Sequence, residues 1–264
     1  MKMKNLLLSS GMALGVAFAS GASAGEIIID LFNGDQAVSD YTLGGGTVWA
    51  PEYAGLDVLG GFRDIGVNCL TGCTANRGTR MDTGGGILAF SNDTLVNGMG
   101  YVVWDGAGTG AGAAGLGGID LTLGGTNTAI QLNTISSDGG LGSQWQFSLY
   151  ASDVANNWTR IDFQASEVSS PTISYIDLNG FAACGAVAPG VISITCSGGP
   201  GFGNGVNLTA LNLLAVTFNL NGIVDVDLAL DSAKAVPVPS TLATFGLGLL
   251  VAGAMYRRRL TSAS

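Results

Sequence analysis

The chain has 264 residues, 43 of them glycine, is 47% hydrophobic and carries a formal net charge of −9. It contains no histidine, which removes Ser-His-Asp and Cys-His catalysis, imidazole-based zinc sites and the commonest general base. The acidity also argues against nucleic acid as a partner, because a phosphate backbone would be repelled.

Lys2 and Lys4 precede an apolar run from Leu6 to Ala19, and Ala22 and Ala24 flank Ser23 just before Gly25. A basic start, a short apolar core and a small-x-small site read as a signal peptide over residues 1–24, removed by signal peptidase after export. An uncleaved anchor is the alternative. The expected mature domain is a single unit over residues 25–235. It keeps five basic residues, Arg63, Arg77, Arg80, Arg160 and Lys234, against all nineteen acidic ones, a net charge of −14.

Strands are expected at Glu26–Phe32, stopped by Asn33-Gly34, and over Tyr41–Trp49 around three glycines. Asp57–Asp64 is apolar and then charged, and adjacent Arg63 and Asp64 read as a structural pair. Further strands are expected at Ile87–Phe90 and Tyr101–Asp105. The Gly/Ala stretch 106–118 reads as a mobile loop. It spells G-x-G-x-x-G from Gly110 to Gly115, but Ile119–Leu123 follows with period two where a dinucleotide site needs a helix, so that reading is rejected.

Trp145, Phe147 and Leu149 alternate with polar residues as a half-buried strand does. Thr159–Phe163, Ile173–Leu178 and Val191–Cys196 continue the pattern, Ser197–Gly205 reads as a loop, and Leu208–Ala215 is ambiguous. Val216–Leu220, Asn221-Gly222 and Ile223–Leu228 read as a hairpin, since Asn-Gly accepts the positive φ of a type I′ turn. Many short strands without βα alternation predict an all-β fold, an antiparallel β-sandwich of jelly-roll type, with a closed barrel as runner-up.

Cys69, Cys73, Cys184 and Cys196 form an even set in an exported chain. Disulfides are expected, Cys69–Cys73 with Cys184–Cys196 closing the shortest loops. A four-thiolate metal site competes poorly because the spacing is C-x3-C, and buried reduced thiols are the remaining reading. Asp225, Asp227 and Asp231 would share one face of a strand and suit calcium, or form the solvated face of an edge strand. No other cofactor is expected. Nineteen carboxylates leave a histidine-free glycan hydrolase conceivable, yet no catalytic residue is singled out.

At the other end, Val236-Pro237-Val238-Pro239-Ser240-Thr241 leads into an uncharged stretch ending at Tyr256, followed by Arg257, Arg258 and Arg259. Residues 240–256 make a helix of roughly 25 Å, the short limit for a span, and the arginines place its end in the cytoplasm. Motif, helix and arginines in this order over 236–264 resemble the PEP-CTERM sorting signal of Gram-negative bacteria. Val238 stands where the commonest version has glutamate. The resemblance implies transient residence in the inner membrane, recognition by an exosortase and release to the cell surface or matrix, with an association to extracellular polysaccharide. Three functions are therefore carried forward. They are a non-enzymatic surface or biofilm-matrix protein, a carbohydrate-binding module stacking sugars on Trp49, Tyr53, Trp104 or Trp158, and a carboxylate hydrolase.

Overall fold

Short β-branched and aromatic runs broken by glycine offer strands many starts and helices none, and the chain folds accordingly. The computed structural model describes residues 25–110, 114–139, 144–165, 167–186 and 188–237, and among these there is no α-helix. The first strands are β1 (Ile27–Asp30), β2 (Gln36–Asp40), β3 (Val48–Trp49), β4 (Tyr53–Ala54), β5 (Phe62–Thr71) and β6 (Thr79–Gly84). The middle of the chain supplies β7 (Ile87–Asn92), β8 (Asn97–Trp104), β9 (Ala129–Asp138), β10 (Gln146–Asp153) and β11 (Trp158–Gln164). Last come β12 (Thr172–Asp177), β13 (Ala183–Cys184), β14 (Val191–Cys196), β15 (Gly201–Phe202), β16 (Leu211–Phe218) and β17 (Asp227–Val236).

These build two antiparallel sheets. One runs β12-β9-β17-β7-β6-β2, with β1 also on β17; the other runs β14-β11-β10-β16-β8-β5-β3, with β4 also on β5. Alternate residues of each turn inward onto one core that takes Met81, Leu88 and Leu230 from the first sheet and Ile65, Leu149 and Ile161 from the second. Phe90 of β7 stacks on Phe218 of β16 with centroids 5.9 Å apart, so the sheets face each other as a sandwich.

The sheets approach closely where β6 and β7 lie over β8. There β8 carries Gly98 and Gly100, and a Cβ at either would collide with Thr79 and Asn92, or with Met81 and Phe90. One edge is closed by β2 meeting β5. Gln36 Nε2 donates to the carbonyls of Pro51 (2.7 Å) and Arg63 (3.2 Å). Arg63 of β5, fully buried, knots this end together. It donates to Asp30 Oδ1 at 2.8 Å, Gln36 Oε1 at 2.7 Å, and Gly34 O and Thr83 Oγ1 at 2.8 Å each, beneath the Tyr53 ring at 4.8 Å. Trp104 Nε1 and the Phe32 N–H complete the shell of Asp30 at 2.8 Å each.

Several expectations are corrected. Arg63 pairs with Asp30 rather than Asp64, because neighbours along a strand point to opposite faces. Residues 216–228 are not a hairpin: β16 lies in one sheet and β17 in the other, and the intervening chain crosses the sandwich. Buried Asn219, at φ +61°, organises the crossing, its amide donating to Gly98 O and Ile223 O at 2.8 Å and its carbonyl accepting the Ile223 N–H. Ile119–Leu123 is not a strand but one bridge, Ile119 to Leu211, followed by a turn in which Asp120 accepts the Thr122 and Gly124 N–H groups. Of Tyr41–Trp49 only β3 is strand, while Leu208–Ala215 resolves into a single 3-10 turn and the start of β16.

Candidate functional site

The sandwich has one closed edge and one open edge. At the end away from Arg63 the outer strands of the two sheets are β12 and β14, and residues of both line one shared space. Between them is a cavity of about 680 Å³, far beyond the water-sized voids that protein interiors ordinarily contain. Its depth follows from strand count. It reaches from β7 and β8 out to β12 and β14, three to four strand spacings, or about 15–20 Å.

Aromatic rings floor the cavity. Phe147 of β10 and Phe163 of β11 stack at 4.9 Å and 16°, and Trp145 leans on Phe147 at 5.9 Å and Phe218 at 6.4 Å. The deeper polar atoms bond to one another: Trp145 Nε1 donates to Ser137 Oγ at 2.9 Å, and Gln164 Nε2 donates to Trp145 O at 3.0 Å. The rim is wetter, with Ser174 and Tyr175 of β12 opposite the exposed Phe202 ring. Asp177, also at the rim, accepts the N–H of Asn179 and so caps the turn Leu178–Ala182 that closes one side. Among the described residues the lining includes no lysine and no arginine.

A second feature lies on the outer face of the β14-to-β3 sheet. Trp49 packs over Gly66 and beside Tyr101, centroids 6.0 Å apart, while Trp158 stacks on Tyr150 at 5.9 Å and 24°. The glycine-rich stretch after β8 lies against this face: Gly110 approaches Trp49 and its N–H bonds the Asp64 carboxylate. Asp64 is buried with one oxygen lacking a hydrogen-bond partner. Burial, with repulsion from Asp105 and Glu52 and against the Gly110 bond, raises its pKa to about 6. The described parts of 106–118 are therefore packed rather than a free loop.

The third feature is the end of the fold. β17 is interior to its sheet, flanked by β9, β7 and β1; Ala235 pairs with Ile27 and Ile130, and buried Val236 pairs with Ala129. Residues 235–259 match the family model of the PEP-CTERM protein-sorting motif. This chain carries that motif. Its first two residues are thus also the last two of the closing strand. Of the matched residues, 235–237 are described; Val238, Pro239, Ser240, Thr241 and Arg257, Arg258 and Arg259 lie outside the described residues. So do Ala22 and Ala24 of the expected signal cleavage site. Gly25 is described and precedes β1, which lies antiparallel to β17, so both terminal segments leave the domain from the same place.

Both local disulfides are present, Cys69–Cys73 and Cys184–Cys196. The three aspartates do not share a strand face. Asp225 precedes β17 at φ +59° and accepts the Leu95 N–H, Asp227 begins the strand opposite Asp138, and Asp231 falls where the register with β9 shifts. Among the described residues no group of three His, Cys, Asp or Glu side chains is placed to hold a metal ion. Of the proposed stacking residues, Trp104 is buried on Asp30 and Tyr53 packs its ring against the Arg63 guanidinium, donating to Asp57 at 3.1 Å. Trp49 and Trp158 remain on the surface sheet. The cavity is not legible in the sequence because one of its walls is β9, whose mixed polarity gives no clean alternation.

No curated protein matches the chain. Among solved structures, a family 11 carbohydrate-binding module from Clostridium thermocellum, in complex with a β-1,3-1,4-mixed-linked tetrasaccharide, is 13% identical. It matches over 81% of this chain and 96% of its own, with a TM-score of 0.38. An exo-β-agarase matches at 9% identity over 81% of this chain and 25% of its own (TM-score 0.40). PfGH50B matches at 12% identity over 58% and 20% (TM-score 0.36). The chain spans a fifth to a quarter of the length of these last two.

Proposed function

We propose that the chain is exported through a cleaved signal peptide and held briefly in the inner membrane by its C-terminal helix. An exosortase then releases it as a non-enzymatic surface or matrix protein. The observation that carries this reading is the junction between fold and address: the sandwich closes its last strand at Val236, and the PEP-CTERM motif runs on from there. A domain complete at that point loses nothing when the tail is cut. An acidic mature surface with five basic residues suits a soluble exported protein. The absence of histidine and the commitment of Asp30 to Arg63 and Trp104 support a role without catalysis. Fractionating cells with and without their exosortase tests the proposal. Release to the surface or medium that turns into inner-membrane retention in the exosortase-less strain is expected; identical distribution in both strains would sink it.

A second reading, binding of extracellular polysaccharide, is supported by the two aromatic pairs Trp49–Tyr101 and Tyr150–Trp158 on the outer sheet face. Migration retarded in a glycan-containing native gel and restored by Trp158→Ala would bear it out, and unretarded migration across a glycan panel would remove it.

A further inference from the structure

We infer that the cavity between the sheets is a binding site for an uncharged, elongated apolar molecule, taken up through the gap between β12 and β14. The inference does not depend on the sorting reading. A volume of about 680 Å³ lies within the range of roughly 300–1,000 Å³ occupied by small-molecule sites, and the walls are apolar with a few polar groups at one end, as such sites are.

The chemistry of the lining selects the ligand. The basic residues adjacent in sequence to the lining, Arg160 and Lys234, pair with Asp162 and Glu26, Arg63 is consumed by Asp30, Gln36, Gly34 and Thr83, and among the described residues no lysine or arginine lines the cavity. An anionic headgroup would enter without a partner and meet Asp177 at the rim, which rules against a fatty-acid carboxylate or a phosphate. A sugar fares no better, because the deep wall offers it few polar groups, Ser137 and Gln164 each already holding a bond to Trp145, so most of its many hydroxyls would be buried unsatisfied. What fits is a linear or flat apolar body about 15 Å long lying on Phe147, Phe163 and Trp145, with at most a hydroxyl, ester or amide at the Ser174 rim. Ser174 faces inward with Leu132, its partner on β9, and both line the space. A larger side chain at either position would take up part of that space.

The test is titration of the protein, purified from its own cells without detergent, with the neutral fluorophore N-phenyl-1-naphthylamine and with its sulfonated relative 8-anilinonaphthalene-1-sulfonate. The expected result is saturable one-to-one binding of the neutral probe with energy transfer from tryptophan, and binding of the sulfonate about tenfold weaker or more. Ser174→Phe and Leu132→Phe, each checked for unchanged near-ultraviolet dichroism, should weaken the neutral probe by about tenfold or more. Equal binding of the two probes would overturn the inference whether or not either variant folds. So would folded variants that bind like the parent, or a dimer that Ser174→Phe dissociates in a protein that takes up no probe, which would mark the gap as a seat for a second copy's strand.

Discussion

Arg63 concentrates the residue-scale physics of the closed edge. Four of its donor contacts and an aromatic ceiling hold a charge that would otherwise be costly to bury, and they tie β1, β2, β5 and β6 together. Replacing it with alanine leaves Asp30 buried among Trp104 and Phe32 alone, so urea unfolding at neutral pH should show a loss of about 3–5 kcal/mol. Arg63→Lys should recover only part of this, because an ammonium cannot reproduce the fork. In the sequence Arg63 stands beside Asp64 and suggests a local pair. The strand sends one to the core and the other to the outer face, and a partner 33 positions away becomes visible only once β1 has been placed.

Asp30 and Asp64 also set a pH dependence. Burial raises both to about 6 from an ordinary 3.8, at Asp30 against the Arg63 charge and three hydrogen bonds, at Asp64 aided by Asp105 and Glu52. Between those values the folded chain holds protons that the unfolded chain has released, so stability falls as pH rises through about 4 to 6. Asp120, held below the usual range by the Thr122 hydroxyl, acts only at lower pH and with the opposite sign. Urea titrations at pH values across that window should show the decline, and Asp64→Asn should make it shallower. A stability that rises across the same window would contradict the account.

At the scale of elements, what the sequence displayed most clearly were strands with one clean apolar face. β1, β7, β8, β10, β11, β12 and β14 were legible because Val, Ile, Leu and aromatic residues recur at period two or in short runs. β9 was not, since Gln131, Asn133, Thr134, Ser136 and Ser137 dilute the pattern of a strand whose inner face borders a cavity rather than a packed core. The Asn-Gly pair at 221–222 was misread for another reason: the corner is built at Asn219, whose side chain replaces missing backbone partners and sends the chain to the opposite sheet. Asn219→Ala should therefore cost about 1–3 kcal/mol by removing the partners of the Ile223 carbonyl and N–H and one of the two side-chain donors to Gly98 O, measured as a lowered urea midpoint. The disulfides should contribute unequally. Cys184–Cys196 closes the longer loop and fastens β14 to β13 beside the cavity mouth, so Cys184→Ser with Cys196→Ser should cost about 2–4 kcal/mol. Cys69–Cys73, spanning four positions, should cost less in the same assay.

For the whole molecule, the consequence that matters is where the chain enters and leaves. β1 and β17 lie side by side, with Ile27 opposite Ala235, so the described chain begins and ends in one region of the domain. β17 is also an interior strand, which means that the sheet is incomplete until residue 236 is in place and that a cut upstream of it would strip pairing from β9, β7 and β1. The address was legible from order and spacing alone, while its fusion to the closing strand needed the structure. The most direct measurement is mass spectrometry of both ends of the protein recovered from surface and extracellular fractions. The account predicts a chain that begins at Gly25 and ends at Pro237 or shortly beyond. A chain ending upstream of Val236, or one kept in the inner membrane with residues 238–264 intact, would contradict it.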